Sequence, residues 1–130
     1  MKLLLDTHAF LRYITNDARL PVSAAQAIRD KKNEVYLSVV SVWEALVKNQ
    51  LGKLPLPSPP DEYIRNRRTE HQISSLALEE ASLGRLIHLP MHHRDPFDRM
   101  LMCQAIHHDL VIVTVDELLA MYPVRVLPIG

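Results

Sequence analysis

Three short apolar runs punctuate the chain: Leu3-Leu4-Leu5, Val35-Tyr36-Leu37 and Val111-Ile112-Val113. A half-exposed strand alternates apolar and polar residues, whereas a strand covered on both faces reads as an unbroken apolar run. These three therefore predict central strands of a parallel sheet. Between and around them, apolar residues recur at helical spacing over 9–14, 23–31, 42–51, 61–71, 78–86 and 96–107. Strands alternating with helices predict an α/β fold, a three-layer α/β/α sandwich around a mostly parallel sheet. Weaker apolar pieces at 73–76 and 124–127 supply further strands, the second following Pro123 as an edge strand tolerates. Residues 52–60 hold four prolines and read as a stiff surface connection that ends the preceding helix. It is too short to divide two domains, and with no internal repeat the reading is a single domain over 1–130.

Composition sharpens this picture without redirecting it. A chain of 130 residues has the size of one ordinary domain and can bury about two-thirds of its unfolded surface. Hydrophobic residues at 48% and charged residues at 23% are globular proportions, which exclude a disordered chain. Fifteen Lys and Arg balance fifteen Asp and Glu, so the overall field does not draw the molecule to nucleic acid or to an anionic membrane. Contact with a polyanion must come from local patches. Cys103 is the lone cysteine, which excludes an intrachain disulfide and fits a reducing cytoplasm. No stretch approaches the roughly 18 apolar residues of a membrane span, and Asp6 interrupts the amino-terminal apolar run too early for a secretion signal.

The acids carry the chemistry. Asp6 directly follows the first apolar run and Asp116 follows the third, so both sit at strand carboxyl ends, the edge where open α/β sheets bind ligands. Glu44 lies near the start of the helix after the second strand. Asp98 lies in the first turn of the helix opened by Pro96. Four acids distant in sequence would thus meet in one cleft. Carboxylates packed together repel unless a cation sits among them, and a hard divalent ion such as magnesium suits an all-oxygen set. Such an ion lowers the pKa of water and neutralises charge on a phosphate, so water is the nucleophile and no Ser or Cys is required. Each acid also has a purely structural reading. Ser41-Val42-Trp43-Glu44 fits a capping box with Glu44 reaching back to Ser41. Asp95 fits a cap before Pro96, with Asp98 favoured by the helix dipole. Asp116 could begin a short helix through Leu119, and Asp6 could terminate a strand. No single acid decides between these readings; the set at one edge carries the argument.

Four segments together resemble the PIN-domain family, in its VapC-like toxin branch. They are Leu4-Leu5-Asp6-Thr7-His8, Ser41-Val42-Trp43-Glu44-Ala45-Leu46, His93-Arg94-Asp95-Pro96-Phe97-Asp98-Arg99-Met100-Leu101 and Val113-Thr114-Val115-Asp116. Gly52-Lys53-Leu54 and Gln104-Ala105 extend the match nearly end to end. The resemblance implies a parallel sheet of about five strands between helices and an endoribonuclease dependent on magnesium or manganese. It implies silencing by a cognate antitoxin and a homodimer, as in type II toxin–antitoxin pairs. It carries metal binding to Asp6, Glu44, Asp98 and Asp116, makes Asp95 an auxiliary catalytic acid, and gives Thr114 and Thr7 supporting hydroxyls. The competing reading is a catalytically silent PIN-like interaction module, disfavoured because every expected acid is present.

Other side chains invite functional readings of their own. His92-His93 and His107-His108 suggest zinc, but neighbouring residues on a helix or strand diverge and no cysteine partner is near, so the second pair reads better as helix-end cations. His8 could approach the cleft as a hydrogen-bonding neighbour of Asp6. Arg65, Arg67 and Arg68 read as a solvated helix face, while Arg12, Lys48, Lys53, Arg94 and Arg99 lie near the motifs and could meet phosphate. Lys48 is equally an ion-pair partner one turn after Glu44. Trp43 and Tyr36 read as core or interface residues, and Tyr13 is undecided.

Overall fold

The structure, a computed structural model, describes residues 1–91 and 95–127. The chain runs β1 (Lys2–Leu5), α1 (Thr7–Ile14), α2 (Val22–Arg29), β2 (Glu34–Ser38), α3 (Val39–Gln50), α4 (Pro60–Glu70) and β3 (Ser74–Leu76). It continues through α5 (Glu80–Leu83), a 3-10 turn at Gly84–His88, α6 (Pro96–His108), β4 (Val111–Val113), a second 3-10 turn at Glu117–Met121, and β5 (Arg125–Val126). The five strands form one sheet in the order β3-β2-β1-β4-β5, with every neighbouring pair parallel. The three apolar runs are its three central strands, and the two weaker pieces are its edges, as the pattern predicts.

Alternation of side chains across the strands divides the core in two. Leu3, Leu5, Leu37 and Val113 pack with Phe10, Ile14, Ala24, Ile28 and Ile64 from α1, α2 and α4 on one face. Leu4 and Ile112 pack with Leu101, Met102 and Ala105 from α6 on the other. All three leucines of β1 are wholly buried, each contributing about 1.5–3 kcal/mol. Since β1 is apolar on both sides, its ends fix its register: Lys2 sits beside Glu34 at 3.9 Å in solvent, and the Asp6 amide donates to Val113 at 3.0 Å. Connections leave β1 toward β2 and β3, then return across the sheet to β4. The crevice of this topology therefore opens beside Asp6, at the carboxyl ends of β1 and β4.

Three expectations need correction. The helix bearing Glu44 begins at Val39, not near 42, and its cap is Ser38, whose hydroxyl accepts from the Val40 amide at 3.0 Å. Ser41 therefore forms no capping box with Glu44, which sits in the second helical turn. The β-branched Val39-Val40 pair reads as more strand, which hides a strand passing into a helix with no intervening loop. The pattern over 78–86 is only the single turn of α5 and the following 3-10 turn, because Ser82 is its one buried residue over that span and little apolar burial supports a longer helix. Arg67 and Arg68 are no solvated face: they donate to the Ile14 carbonyl at 2.6 Å and the Ile73 carbonyl at 2.9 Å, tying α4 to α1 and to β3, whereas Arg65 is exposed as expected.

Gln104, wholly buried in α6, holds the two layers in register at the functional edge. Its carbonyl oxygen accepts from the Ser38 hydroxyl at 2.5 Å and its amide donates to the Ala77 carbonyl at 3.2 Å. Gln104→Leu keeps the bulk but removes the acceptor of the Ser38 hydroxyl and the donor to the Ala77 carbonyl, and should lower unfolding free energy by about 1–3 kcal/mol in urea denaturation. An unchanged midpoint would show that this linkage is dispensable.

Candidate active site

Asp6 is the only residue between β1 and α1, and it serves both elements. One carboxylate oxygen accepts from the Ala9 amide at 2.7 Å and caps α1, while the carboxylate also takes a hydrogen bond from the Thr114 hydroxyl at the end of β4. The Thr114 oxygen in turn accepts from the Asp116 amide at 3.0 Å, so one hydroxyl joins the first and last acids of the motif set. Asp116 directs Oδ1 to the Leu118 amide at 3.0 Å and caps the second 3-10 turn. The short-helix reading of Asp116 thus holds: its carboxylate caps the turn, and its backbone amide bonds the Thr114 hydroxyl.

Glu44 comes from α3 and is 2% exposed, Asp6 5%. Neither can hold a charge there without partners. Thr7 donates to one Glu44 oxygen at 2.5 Å, and the Lys48 ammonium meets the other at 2.5 Å. Both the ion pair one turn along α3 and a hydroxyl contribution from Thr7 are therefore present. Lys48 also feels the charges of Asp95 and Asp98 at the start of α6, which places the two α6 acids on the same side of the crevice. Asp95 caps α6, accepting from the Phe97 and Asp98 amides at 2.9 and 3.2 Å. The edge of the Trp43 ring meets Phe97, centroids 4.8 Å apart, and this contact sets α3 against the first turn of α6. Trp43 is nevertheless 59% exposed, so it is not a core residue, whereas Tyr36 is half-buried against the α6-side core. Tyr13 packs against the other core and touches His71 edge-on. His8 is exposed beside Asp6, and its charge is felt there. His92, His93 and Arg94 lie outside the described residues.

Charge, more than contact, defines this crevice. Burial raises the Asp6 carboxyl above its usual range and the neighbouring Glu44 charge adds to this, while the Thr114 and Ala9 hydrogen bonds and His8 oppose it. Burial acts to lower the Lys48 ammonium, but the Glu44 hydrogen bond and the charges of Glu44, Asp95 and Asp98 prevail and raise it. Among the described residues, no three of Asp6, Glu44, Asp98 and Asp116 bring carboxylate oxygens within 4.8 Å of one another. The four share an edge without forming a closed cage. That geometry, all oxygen and partly neutralised by a chain cation, suits an ion held by one or two carboxylates that keeps several of its waters.

Residues 3–123 match the family pattern described as PIN domain. The chain belongs to the PIN-domain family. Within the family, it is 35% identical over 54 residues to Ribonuclease VapC16 of Mycobacterium tuberculosis, a stretch that covers 42% of this chain and 38% of that protein. The PIN fold superposes on VapBC2 from Rickettsia felis, in a crystal structure with a DNA fragment from the promoter, with a TM-score of 0.70, 14% identity and 98% of both chains covered. A toxin–antitoxin complex from Klebsiella pneumoniae (TM-score 0.61, 17% identity, 97% of both chains) and FitAcB from Neisseria gonorrhoeae (0.61, 19% identity, 97% and 96%) share the PIN fold. Sequence reasoning missed the breadth of Lys48's contacts and the role of Gln104. The four-residue spacing from Glu44 carried the signal for the first; the match at Gln104-Ala105 marked the second position without giving its role.

The raised Asp6 pKa has a defined consequence for stability. The folded chain binds this proton more tightly than the unfolded chain, so Asp6 favours folding in acid, and the advantage is lost as pH climbs from the ordinary 3.8 through the raised folded value. Above that window the ionised group opposes folding unless a cation faces it. Asp6→Asn preserves the cap, and in chelator at neutral pH it should melt no lower than the parent. Magnesium or manganese should raise the melting temperature of the parent alone. An equal rise in the variant would contradict this account.

Proposed function

We propose that this PIN domain, taken as one domain over 1–130, is a VapC-like endoribonuclease dependent on magnesium or manganese. We propose further that it acts as the toxin of a toxin–antitoxin pair. The observation that carries the reading is the burial of two carboxylates, Asp6 and Glu44, near enough for the Glu44 charge to act on Asp6, with the charges of Asp95 and Asp98 acting on Lys48. The local identity to a ribonuclease supports it. Asp6, Glu44, Asp98 and Asp116 are the carboxylates available to the ion, which one or two of them would hold directly while it keeps several waters. When bound, it supplies Lewis acidity toward water and neutralises phosphate charge. Thr7 and Thr114 keep the Glu44 and Asp6 carboxylates oriented, and the Asp95 cap fixes the α6 amino terminus, whose dipole favours a phosphate oxygen. Asp95 serves as the auxiliary acid beside them.

Partners follow from the same reading. RNA is the substrate class, and a cognate antitoxin holds the enzyme silent, in keeping with the fold likeness to toxin–antitoxin complexes. A groove of about 510 Å³, lined by His8, Arg12, Leu54, Leu56, Tyr63 and an Arg19 paired with Asp17, starts at His8 beside Asp6 and offers mixed charged and apolar contacts to either. The exposed Val39 and Trp43 on α3 suit a homodimer contact. The lone, buried Cys103 fits the cytoplasm, and among the described residues no helix is long and apolar enough to cross a membrane. One observation favours a catalytically silent module instead: Lys48 already neutralises Glu44, as an ion would. Saturable manganese binding separates the two readings, since a silent module would show none.

Asp6→Asn should abolish magnesium-dependent cleavage of RNA while circular dichroism stays unchanged; undiminished cleavage by rigorously purified variant protein refutes the assignment. Lys48→Met removes the ammonium that competes for Glu44, so manganese should bind about tenfold more tightly, the equivalent of a charged hydrogen bond of roughly 1.5 kcal/mol. Calorimetric titration reads the difference. Weaker binding would mean that Lys48 assists the ion rather than standing in for it.

A further inference from the structure

The far end of α6 holds a second cluster that the acid site does not use. His107 and His108 are neighbours on the helix, yet their rings converge edge to face with centroids 4.8 Å apart. The expectation that adjacent histidines diverge fails here. Glu79, immediately before α5, approaches from the other side, and one ligand atom from each of the three residues lies within 4.8 Å of the other two. The His108 Nε2 atom is enclosed and has no hydrogen-bond partner, an unsatisfied polar group of the kind that folded chains rarely leave. The carboxyl end of a helix of 13 residues also favours positive charge.

We propose that Glu79, His107 and His108 bind a borderline divalent ion of the zinc type. Two imidazoles and one carboxylate are the donor set such ions select over magnesium, and with Glu79 exposed a fourth position remains for water. The site is separate from the carboxylate crevice. Asp95 and Asp98 open α6 whereas the histidines end it, a distance of about 14–20 Å along the helix. The ion has a structural role: it pins the segment after β3 to the end of α6, next to the link from Gln104 to Ala77. Over 77–88 Ser82 is the one buried residue, so the ion would add a fixed contact where apolar burial is small.

The test uses the untagged full chain, stripped with chelator and titrated with zinc chloride in excess magnesium, read by calorimetry and by melting temperature. One equivalent of zinc should bind and raise the melting temperature. Glu79→Gln and His108→Ala should each weaken binding at least about tenfold, no less than loss of an outer partner of a metal ligand does. Asp6→Asn should leave zinc binding intact, because it touches only the carboxylate crevice. The exposed Glu79 makes its variant safe for folding even if His108→Ala is not. Cobalt in place of zinc should give the absorption of a tetrahedral site in the parent and lose it in Glu79→Gln. Absence of saturable zinc binding, unchanged affinity in Glu79→Gln, or loss of binding in Asp6→Asn would each overturn the proposal. None of these outcomes depends on whether the chain cleaves RNA.

Discussion

Two carboxylates withdrawn almost completely from water, Asp6 and Glu44, impose the constraint around which the rest of this fold is arranged. A buried charge left unpaired is far costlier than any one apolar contact is stabilising. Every neighbouring element therefore contributes something that answers it: Thr7 from α1, Lys48 from α3 itself, Thr114 from the end of β4, and the Ala9 amide from the first turn of α1. These answers come from both sides of the sheet's switch point. The site can exist only when β1, β4 and α3 are all in place, so assembling the core and assembling the acids are one event.

The acids at this edge work twice. Asp6, Asp95 and Asp116 each cap a helix or 3-10 turn, and each does so with one carboxylate oxygen. The structural readings available for these residues and the chemical ones are thus compatible. Capping orients the side chain through short backbone bonds and leaves a second oxygen for other partners. Glu44 is the exception, because the cap of α3 is Ser38 and not Ser41. Freed from the helix terminus, Glu44 depends wholly on side chains for its orientation.

Much of the architecture was legible because burial on both faces of a strand leaves an unmistakable mark. Leu3 to Leu5, Val35 to Leu37 and Val111 to Val113 are apolar without alternation, and they are the central strands. The acids were legible for a related reason, since a charge at the end of such a run can only sit at the sheet edge. What stayed hidden was set by tertiary partners. The helix over 42–51 in fact starts at Val39, because Ser38, held by Gln104 across the layers, caps it there. Trp43, read as core or interface, is not core: it meets Phe97 edge-on while much of its ring faces outward. Arg67 and Arg68 look solvated, yet reach carbonyls whose positions only the folded chain defines. The pairing of His107 with His108 and Glu79 could not be read from a helix pattern, because it depends on where the chain after β3 returns.

Two neighbouring strands pass into their helices with almost no connecting chain. A single residue separates β1 from α1 and none separates β2 from α3, whereas the opposite edge carries turns with left-handed backbone at Asn16, Gln72 and Asp109. Neither of the two junctions after β1 and β2 has chain long enough to fold over a bound guest. A polymer laid against them would rest on backbone whose position the sheet already sets.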